Sequence, residues 1–378
     1  MTAITGIIPY LVPFLVVITI LVFVHEMGHY LVARWNGVRV EVFSIGFGPE
    51  LFGWTDRVGT RWKFSLIPLG GYVKMYGDLD AASRPNADVK EMSQEDKALT
   101  LHAKKPWQRI AVAAAGPAAN YIFAVILLFG LYLVIGQRYL PADISEVLPN
   151  TAAANAGLMK GDVIRQINGQ TIDNFKDLEV IISSNPGQKL SITIDRQGQT
   201  HHVDATPDQK EIKDRFGRVR HVGSLGIARA MTPNFKMLSM KEAAIASFVD
   251  TYQVSAGMLH GIWQIIIGER SSEELGGVLR IAKISGEVAQ SGLANLLWLM
   301  AFLSINLGLI NLFPIPMLDG GHIMLHLVEV MTGKPVNEKV QEFAFKVGFS
   351  IVIAVMVLAM WNDLMHLGVV KWFLGLWG

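Results

Sequence analysis

The stretch "HEMGH", residues 25–29, carries three side chains that can do chemistry within little more than one helical turn. Residues four apart lie on one face of a helix, so His25 and His29 can reach the same metal ion. Glu26 stands beside that pair. His-Glu-x-x-His on a helix is typical of zinc peptidases, in which the glutamate acts as general base. We therefore predict a metal site at the two histidines with Glu26 as the base.

The chain just before this motif is apolar and uncharged, "GIIPYLVPFLVVITILV" (6–22). About 20 apolar residues are enough for a helix to cross the hydrocarbon core of a bilayer. Ionisable groups within such a helix are costly to desolvate and usually functional. The alternative is that the histidines and the glutamate lie among the lipid headgroups, where their cost is small.

A catalytic zinc site usually has three protein ligands and one open position. The stretch "NLFPIPMLDGGH" (311–322) offers Asp319 at the end of another apolar run. Its two prolines break the helix, and non-helical backbone at membrane depth is tolerated only where it is buried in protein or lines a cavity. His322 and His326 are also four apart and form a rival metal face, without a glutamate next to them. A simple helix exit with a Gly-Gly turn would need no ligand.

Composition places the chain among membrane proteins. Of 378 residues, 51% are hydrophobic and 17% are charged, whereas soluble domains average about 25% charged residues. The net charge is +1 with no basic cluster, so we expect no nucleic-acid partner. The absence of cysteine excludes disulfides and thiolate sites.

Four segments have the length and apolarity of membrane-spanning helices, and Asp363 interrupts the fourth: about 6–34, 110–137, 288–318 and 346–367. The loop after the first span is rich in Lys and Arg, which places it in the cytoplasm and residues 138–290 outside. The uncharged stretch 251–268 is near the minimum length for a further span, but its polar residues also suit a helix in the membrane interface. A span there would put Asp319 on the opposite face from His25, whereas an interfacial helix lets the two meet on the cytoplasmic side.

The outer segment has the turns and strands of a small β-rich domain. "AAANAGLMKGDVIRQINGQTI" (152–172) places a strand between Gly-Asp and Asn-Gly turns. "KLSITIDRQGQTHHVDATP" (189–207) alternates apolar and polar residues around a Gln-Gly turn. In this order the features resemble a single PDZ domain over about 141–207, although another small β-rich domain could have similar turns.

The cytoplasmic loop has β character of its own. "VRVEVFSIGFGPELFGW" (38–54) and "TRWKFSLIPLGGYVKMYG" (60–77) alternate and are joined by a polar turn, which predicts a β-hairpin over about 38–76. A free strand edge can accept an extended peptide as a further strand. The sequence does not identify which strand is the edge, and an ordinary hairpin resting at the membrane surface is the alternative.

These motifs, with "AGPAAN" (115–120) in the second span, resemble the site-2 proteases, which are zinc intramembrane proteases. They are most similar to the bacterial branch that cleaves anti-sigma factors. The resemblance implies one Zn²⁺ per chain held by His25, His29 and Asp319, Glu26 as catalytic base, and a substrate contact at Asn311. It also implies a hairpin that clamps the substrate, through Gly46, Phe47, Gly48, Gly70, Gly71 and Tyr72. Two departures are the single PDZ-like domain, where well-known members have two, and "GGVLRIA" (276–282) in place of a Gly-Pro-rich stretch.

The expected architecture is a polytopic α-helical membrane protein with four transmembrane helices, a membrane-associated β-hairpin and one extracytoplasmic PDZ-like domain. Its parts are residues 1–137 with the first two spans, the PDZ-like domain 141–207, a linker with an interfacial helix at 208–290, and residues 291–378 with the last two spans. The resemblance implies a bacterial inner-membrane location, a periplasmic PDZ domain that gates access, and single-span membrane proteins as substrates. A metal-ion transporter and a catalytically silent PDZ scaffold are the rival functions.

Overall fold

A computed structural model of the protein describes residues 2–78, 92–139, 141–172, 174–213, 219–229 and 234–366. The chain divides into two compact units. The first, which is mainly helical, comprises residues 1–131, 247–260 and 272–378, and the second, which is rich in β-strands, comprises residues 132–246 and 261–271.

The described helices are, in chain order, α1 (Thr2–Trp35), α2 (Gln94–Ala98), α3 (Pro106–Val134), α4 (Ala152–Asn155), α5 (Phe175–Ser184), α6 (Met240–Ile266), α7 (Val278–Gln290), α8 (Leu293–Asn311), α9 (Asp319–Thr332) and α10 (Glu338–His366). Four of these contain segments long and apolar enough to cross a membrane: Ile8–Trp35, Pro106–Val134, Leu293–Asn311 and Lys339–His366. The four predicted spans are therefore present as helices.

The third span is shorter than the uncharged stretch 288–318 that predicted it. Gly292, with φ of +112°, separates α7 from α8. After Asn311 the chain turns through 312–318 before α9 begins, since its prolines cannot donate the hydrogen bonds that would continue the helix. The uncharged stretch 251–268 lies mostly in α6, whose first half carries charged residues, and α6 is not among the four candidate spans. Its place in the interface stays a prediction.

The carboxylate in the fourth span has a structural partner. Asp363, which is 1% exposed, accepts the backbone N–H of Gly277 at 2.9 Å and that of Arg280 at 3.0 Å. These N–H groups belong to the first turn of α7 and its N-cap, where backbone donors have no partner within the helix. Asp363 thus caps α7 and ties it to α10.

Strands form the hairpin loop and most of the second unit. They are β1 (Val40–Thr55), β2 (Arg61–Met75), β3 (Gln137–Tyr139), β4 (Ile144–Val147), β5 (Val163–Ile167), β6 (Gln170–Thr171), β7 (Leu190–Arg196), β8 (Gln199–Ala205), β9 (Asp208–Lys213), β10 (Val219–Ser224), β11 (Ile227–Arg229) and β12 (Asn234–Lys236).

The hairpin of β1 and β2 folds back on itself, so that its two long strands form a sheet of four strand segments. Residues 42–45 have partners on both sides, in 61–64 and in 71–74. Within the described part of the chain, 50–55 and 71–75 are the two edges of this sheet. Phe43 stacks on Trp62 with ring centroids 4.4 Å apart and lies edge-on to Phe23 of α1 at 5.7 Å. These aromatic contacts fix the sheet against the helix that carries "HEMGH".

The second unit has a sheet of order β6-β5-β7-β8 and a separate pair, β4 with β11. Its core contains an apolar cluster that includes Ile164, Leu178, Ile192 and Leu225. The unit extends beyond the predicted end of the PDZ-like domain at residue 207, because β11 pairs with β4 and Leu225 is buried in the same core. The sequence missed this extension because the pairing is distant along the chain and β11 is only three residues long.

Candidate metal centre and active site

Three ligand-type side chains converge in the helical unit. His25 and His29 lie on α1, with their Nε2 atoms 3.2 Å apart. Asp319 faces both, with Oδ2 3.1 Å from Nε2 of His25 and Oδ1 3.4 Å from Nε2 of His29. Among the described residues, this is the one group of three or more His, Asp or Glu ligand atoms that could hold a metal ion.

The second span, α3, contacts both imidazole rings at Nδ1, on the side away from Asp319. Nδ1 of His29 lies 2.8 Å from the backbone oxygen of Val112. Nδ1 of His25 lies 3.0 Å from the side-chain amide of Asn120. With each Nδ1 engaged by α3, each Nε2 is directed at Asp319.

Small residues make this close approach of α1 and α3 possible. A Cβ at Gly116 would overlap the His29 ring and lie 2.8 Å from Cε1 of His25. A Cβ at Gly28 would overlap the backbone of Ala115. The "AGPAAN" motif therefore supplies the space that the histidine rings occupy.

Asp319 is brought to the histidines by the turn between α8 and α9. It is the first residue of α9. A Cβ at Gly320 would overlap the carbonyl groups of Leu312 and Phe313, and a Cβ at Gly321 would overlap that of Ile315. The Gly-Gly pair after the aspartate is therefore required for the turn to fold back onto the first turn of α9.

The donor set fits a zinc ion. Two imidazole nitrogens and one carboxylate oxygen are common zinc ligands, and three protein ligands leave a position open for water or substrate. Oδ2 of Asp319 is buried and makes no hydrogen bond in the described structure, although Nε2 of His25 lies 3.1 Å away. A buried carboxylate oxygen without a donor is costly, and a cation at this point would satisfy it.

A cavity of about 360 Å³ opens on these groups and contains Glu26 in its lining. Glu26 is not one of the three converging groups, and Val73 lines the same cavity. Val73 belongs to the edge 71–75 of the hairpin sheet, so this edge borders the cavity. The arrangement places the Glu26 carboxylate, the three converging ligand-type side chains and an edge of the hairpin sheet around one space.

The predicted substrate-binding residues divide into two groups. Asn311, Phe47, Gly71 and Tyr72 line the cavity, whereas Gly46, Gly48 and Gly70 do not. These three glycines have positive φ values of +91°, +88° and +120°, which L-residues with a side chain rarely adopt. Their position serves the bends of the sheet.

The rival histidine pair is not part of a group of three ligand-type side chains among the described residues. His322 and His326 both line the cavity. Nδ1 of His326 lies 3.7 Å from a Glu329 oxygen, and the His322 ring packs on Phe345 with centroids 5.4 Å apart. Neither belongs to the converging ligand group.

Two cavity neighbours were not singled out from the sequence. Asn120 contacts His25, and its type was visible only as part of "AGPAAN". Arg109 lines the cavity and forms an ion pair of 2.6 Å with Glu329, which joins α3 to α9. A lone basic residue at the start of an apolar helix gives no sequence signal for a partner 220 residues away.

Comparison with known proteins gives a match over most of the chain. The model of peptidase family M50 matches residues 13–355. "Putative zinc metalloprotease Atu1380" of Agrobacterium fabrum is 41% identical over 362 residues, which cover 95% of this chain and 96% of that protein. "Metalloprotease MmpA" of Caulobacter vibrioides is 34% identical over 395 residues, covering 98% and 99%.

Among solved structures, the chain is similar to the PDZ domain of the SdrC-like protein of Listeria innocua. The match has 19% identity and a TM-score of 0.20, and it covers 24% of this chain and 96% of that one.

Proposed function

The chain belongs to peptidase family M50, and on that basis we propose that it is a zinc-dependent intramembrane endopeptidase. Its substrates would be single-span membrane proteins of the anti-sigma-factor type, cut within or near the transmembrane segment after a first trimming cut. The observation that carries the proposal is the convergence of His25, His29 and Asp319 beside Glu26 and an open strand edge.

Each residue would have a separate task in hydrolysis. His25, His29 and Asp319 would hold one zinc ion. When bound, zinc would polarise the scissile carbonyl and make a water molecule more acidic. Glu26 would accept a proton from the attacking water and return it to the leaving amine, which is general acid–base catalysis by one carboxyl group. Asn311, which lines the same cavity, would contact the substrate.

The hairpin edge would hold the substrate in an extended form. A helical substrate keeps its carbonyl groups hydrogen-bonded, so it must unwind before water can attack. Within the described part of the chain, residues 71–75 have no further strand on their outer side, next to Glu26, and an extended peptide can add to such an edge. The opposite edge, 50–55, does not line the cavity.

The two edges can be compared by cross-linking, because the chain has no native cysteine. Single cysteines at Lys74 and at Phe52 would be paired with cysteines placed along a substrate, in the inactive Glu26→Gln background. We expect cross-links at Lys74 that recur at every second substrate position, since strand side chains alternate between faces. Equal cross-linking at Phe52 would argue against binding at the inner edge.

The catalytic assignment is tested with Glu26→Gln in the full-length protein. We expect the variant to keep zinc near one per chain and to lose cleavage, because Glu26 is a base and not a ligand. Cleavage by the parent enzyme should stop with a zinc chelator and return with added zinc. Loss of zinc together with activity would make Glu26 a ligand. If the parent protein transports metal ions but cleaves no substrate, the transporter function is favoured. If it shows neither transport nor cleavage, the silent scaffold is favoured.

We also propose that the β-rich unit limits which substrates reach the active site. The excess of Lys and Arg in the loop after the first span supports a cytoplasmic position for that loop. In an inner-membrane protein, the β-rich unit would then lie on the periplasmic side. A folded domain on that side can exclude substrates that still carry a bulky outer part.

The strand pairing suggests how to remove this unit cleanly. Tyr139 of β3 pairs with Asn234 of β12, so a short turn can join them after deletion of 140–233, as in a β-hairpin. Ending the deletion at 207 would leave β11 without β4. We expect the deletion variant to keep zinc and to cleave full-length substrates that the intact enzyme spares. A zinc-loaded variant that cleaves neither full-length nor trimmed substrate would mean that the unit recruits substrate instead.

A further inference from the structure

Asn120 is the polar side chain that faces the back of the His25 ring. It is completely buried, and its amide Nδ2 lies 3.0 Å from Nδ1 of His25. Its Oδ1 is buried and has no hydrogen-bond partner in the described structure. Its backbone oxygen accepts the hydroxyl of Ser304 at 2.8 Å, which ties this turn of α3 to α8.

The two histidines differ in what holds Nδ1. For His29 the partner is the backbone oxygen of Val112, which can only accept a hydrogen bond. It therefore keeps the proton on Nδ1 and leaves Nε2 with a free lone pair. For His25 the partner is an amide, which can donate through Nδ2 or accept through Oδ1.

Metal binding decides which amide atom is needed. A histidine that gives its Nε2 lone pair to a metal carries its proton on Nδ1 and usually donates it to an acceptor. With Nδ2 facing the ring, His25 would instead carry its proton on Nε2, directed at Asp319. A half-turn of the amide puts Oδ1 in the same place, and Oδ1 is the atom that now lacks a partner.

We propose that Asn120 is a positioning residue that accepts the Nδ1 proton of His25 and so selects the metal-binding tautomer. This inference rests on the proposed zinc site. An amide has a specific merit here, because it supplies an acceptor without adding a negative charge to a site that already contains Asp319 and Glu26.

The test measures zinc affinity by chelator competition on the full-length protein in detergent. Asn120→Leu keeps a similar size and removes the acceptor, and Asn120→Asp keeps an acceptor. Asn306→Leu is the matched control, because in the part of the chain that the structure describes that amide donates to the backbone oxygen of Phe302 in its own helix, at 2.7 Å. Partners of metal-bound histidines typically contribute about 10- to 100-fold in affinity.

We expect Asn120→Leu to weaken zinc binding about 10- to 100-fold, Asn120→Asp to bind zinc at least as tightly as the parent, and Asn306→Leu to match the parent. Nitrogen NMR of the zinc-loaded parent should show the His25 proton on Nδ1. Thermal melting of the zinc-free proteins separates misfolding from a loss of affinity.

Two results would overturn the inference. One is zinc affinity in folded Asn120→Leu equal to that of the parent. The other is a loss of zinc affinity of about tenfold or more in folded Asn120→Asp relative to the parent, because the aspartate retains the acceptor. This second result stands even if the leucine variant fails to fold. If His25→Ala leaves the zinc affinity of the protein unchanged, the proposed zinc site itself has failed and the inference falls with it, whereas a loss in His25→Ala without a loss in Asn120→Leu overturns the role of Asn120 alone.

Discussion

Gly116→Ala should damage the metal centre by adding one methyl group. The new Cβ would overlap the His29 ring and stand 2.8 Å from Cε1 of His25. Carbon atoms in van der Waals contact are about 3.5–4.0 Å apart, so the neighbouring ring must move by at least about 0.7 Å. Either the histidines rotate or α3 moves away from α1, and both changes alter the ligand geometry.

The size of the effect follows from how little movement a zinc site tolerates. Ligand distances in zinc sites stay within about 0.2 Å of their usual values, so a shift of about 0.7 Å cannot be absorbed without weakening a bond. We expect zinc affinity to fall by about tenfold or more, which corresponds to about 1.4 kcal/mol. Overpacking should also lower the free energy of unfolding by about 1–3 kcal/mol.

The assay compares Gly116→Ala with Gly130→Ala on the same helix. A Cβ at Gly130 would meet nothing within 4 Å, so that substitution changes helix propensity and leaves the site untouched. Zinc affinity is measured by chelator competition, with melting of the zinc-free proteins in parallel. Parent-like zinc affinity in folded Gly116→Ala would refute the packing argument, and so would equal losses in the two variants.

Asp319→Asn should weaken zinc binding more than the double variant His322→Ala/His326→Ala, because an amide oxygen is a poorer donor than a carboxylate; metal analysis showing the opposite order would favour the rival pair. Burial alone would raise the pKa of Asp162, but hydrogen bonds from the Arg196 side chain and from the backbone N–H of Met159 outweigh burial, so the pKa of Asp162 is lowered. A carboxyl group whose pKa is lowered by folding stabilises the folded state at pH values above its ordinary pKa of about 3.9. That stabilisation is lost as the pH falls below this value. Hydrogen-exchange protection of β5 and β7, corrected for intrinsic rates, should therefore fall below about pH 4, and fall less in Asp162→Asn; equal pH profiles would exclude this role. Asp363→Ala leaves two backbone donors of α7 unpaired, each costing about 1–3 kcal/mol, so the melting temperature should drop, and an unchanged value would exclude the cap.

Local patterns predicted the candidate site residues and most of the elements. "HEMGH" within an apolar run predicted a helix with two histidines on one face, because that follows from 3.6 residues per turn. The four spans were predictable from length and hydropathy, and the hairpin from its alternation. The sequence favours Asp319 over the His322/His326 pair as the proposed third ligand only through a further argument, its place at the end of a predicted span.

Tertiary structure decided what these elements contact. Which edge of the hairpin is open depends on a fold that gives residues 42–45 partners on both sides, and alternation alone carries no such information. The end of the β-rich unit depends on the pairing of β11 with β4, and the role of Asp363 depends on a helix more than 80 residues away.

The same holds for the metal centre. The sequence determined that two imidazoles share a helix face, because their spacing is local. Only the packing of α3 and α9 against that face decided which nitrogen points inward, that Asn120 and Val112 hold the rings, and that Asp319 rather than the rival pair completes the group. Contacts between distant segments depend on how the surfaces of packed helices fit together. In a single sequence, the sign of such close packing is a small residue such as Gly116, and it does not identify the partner.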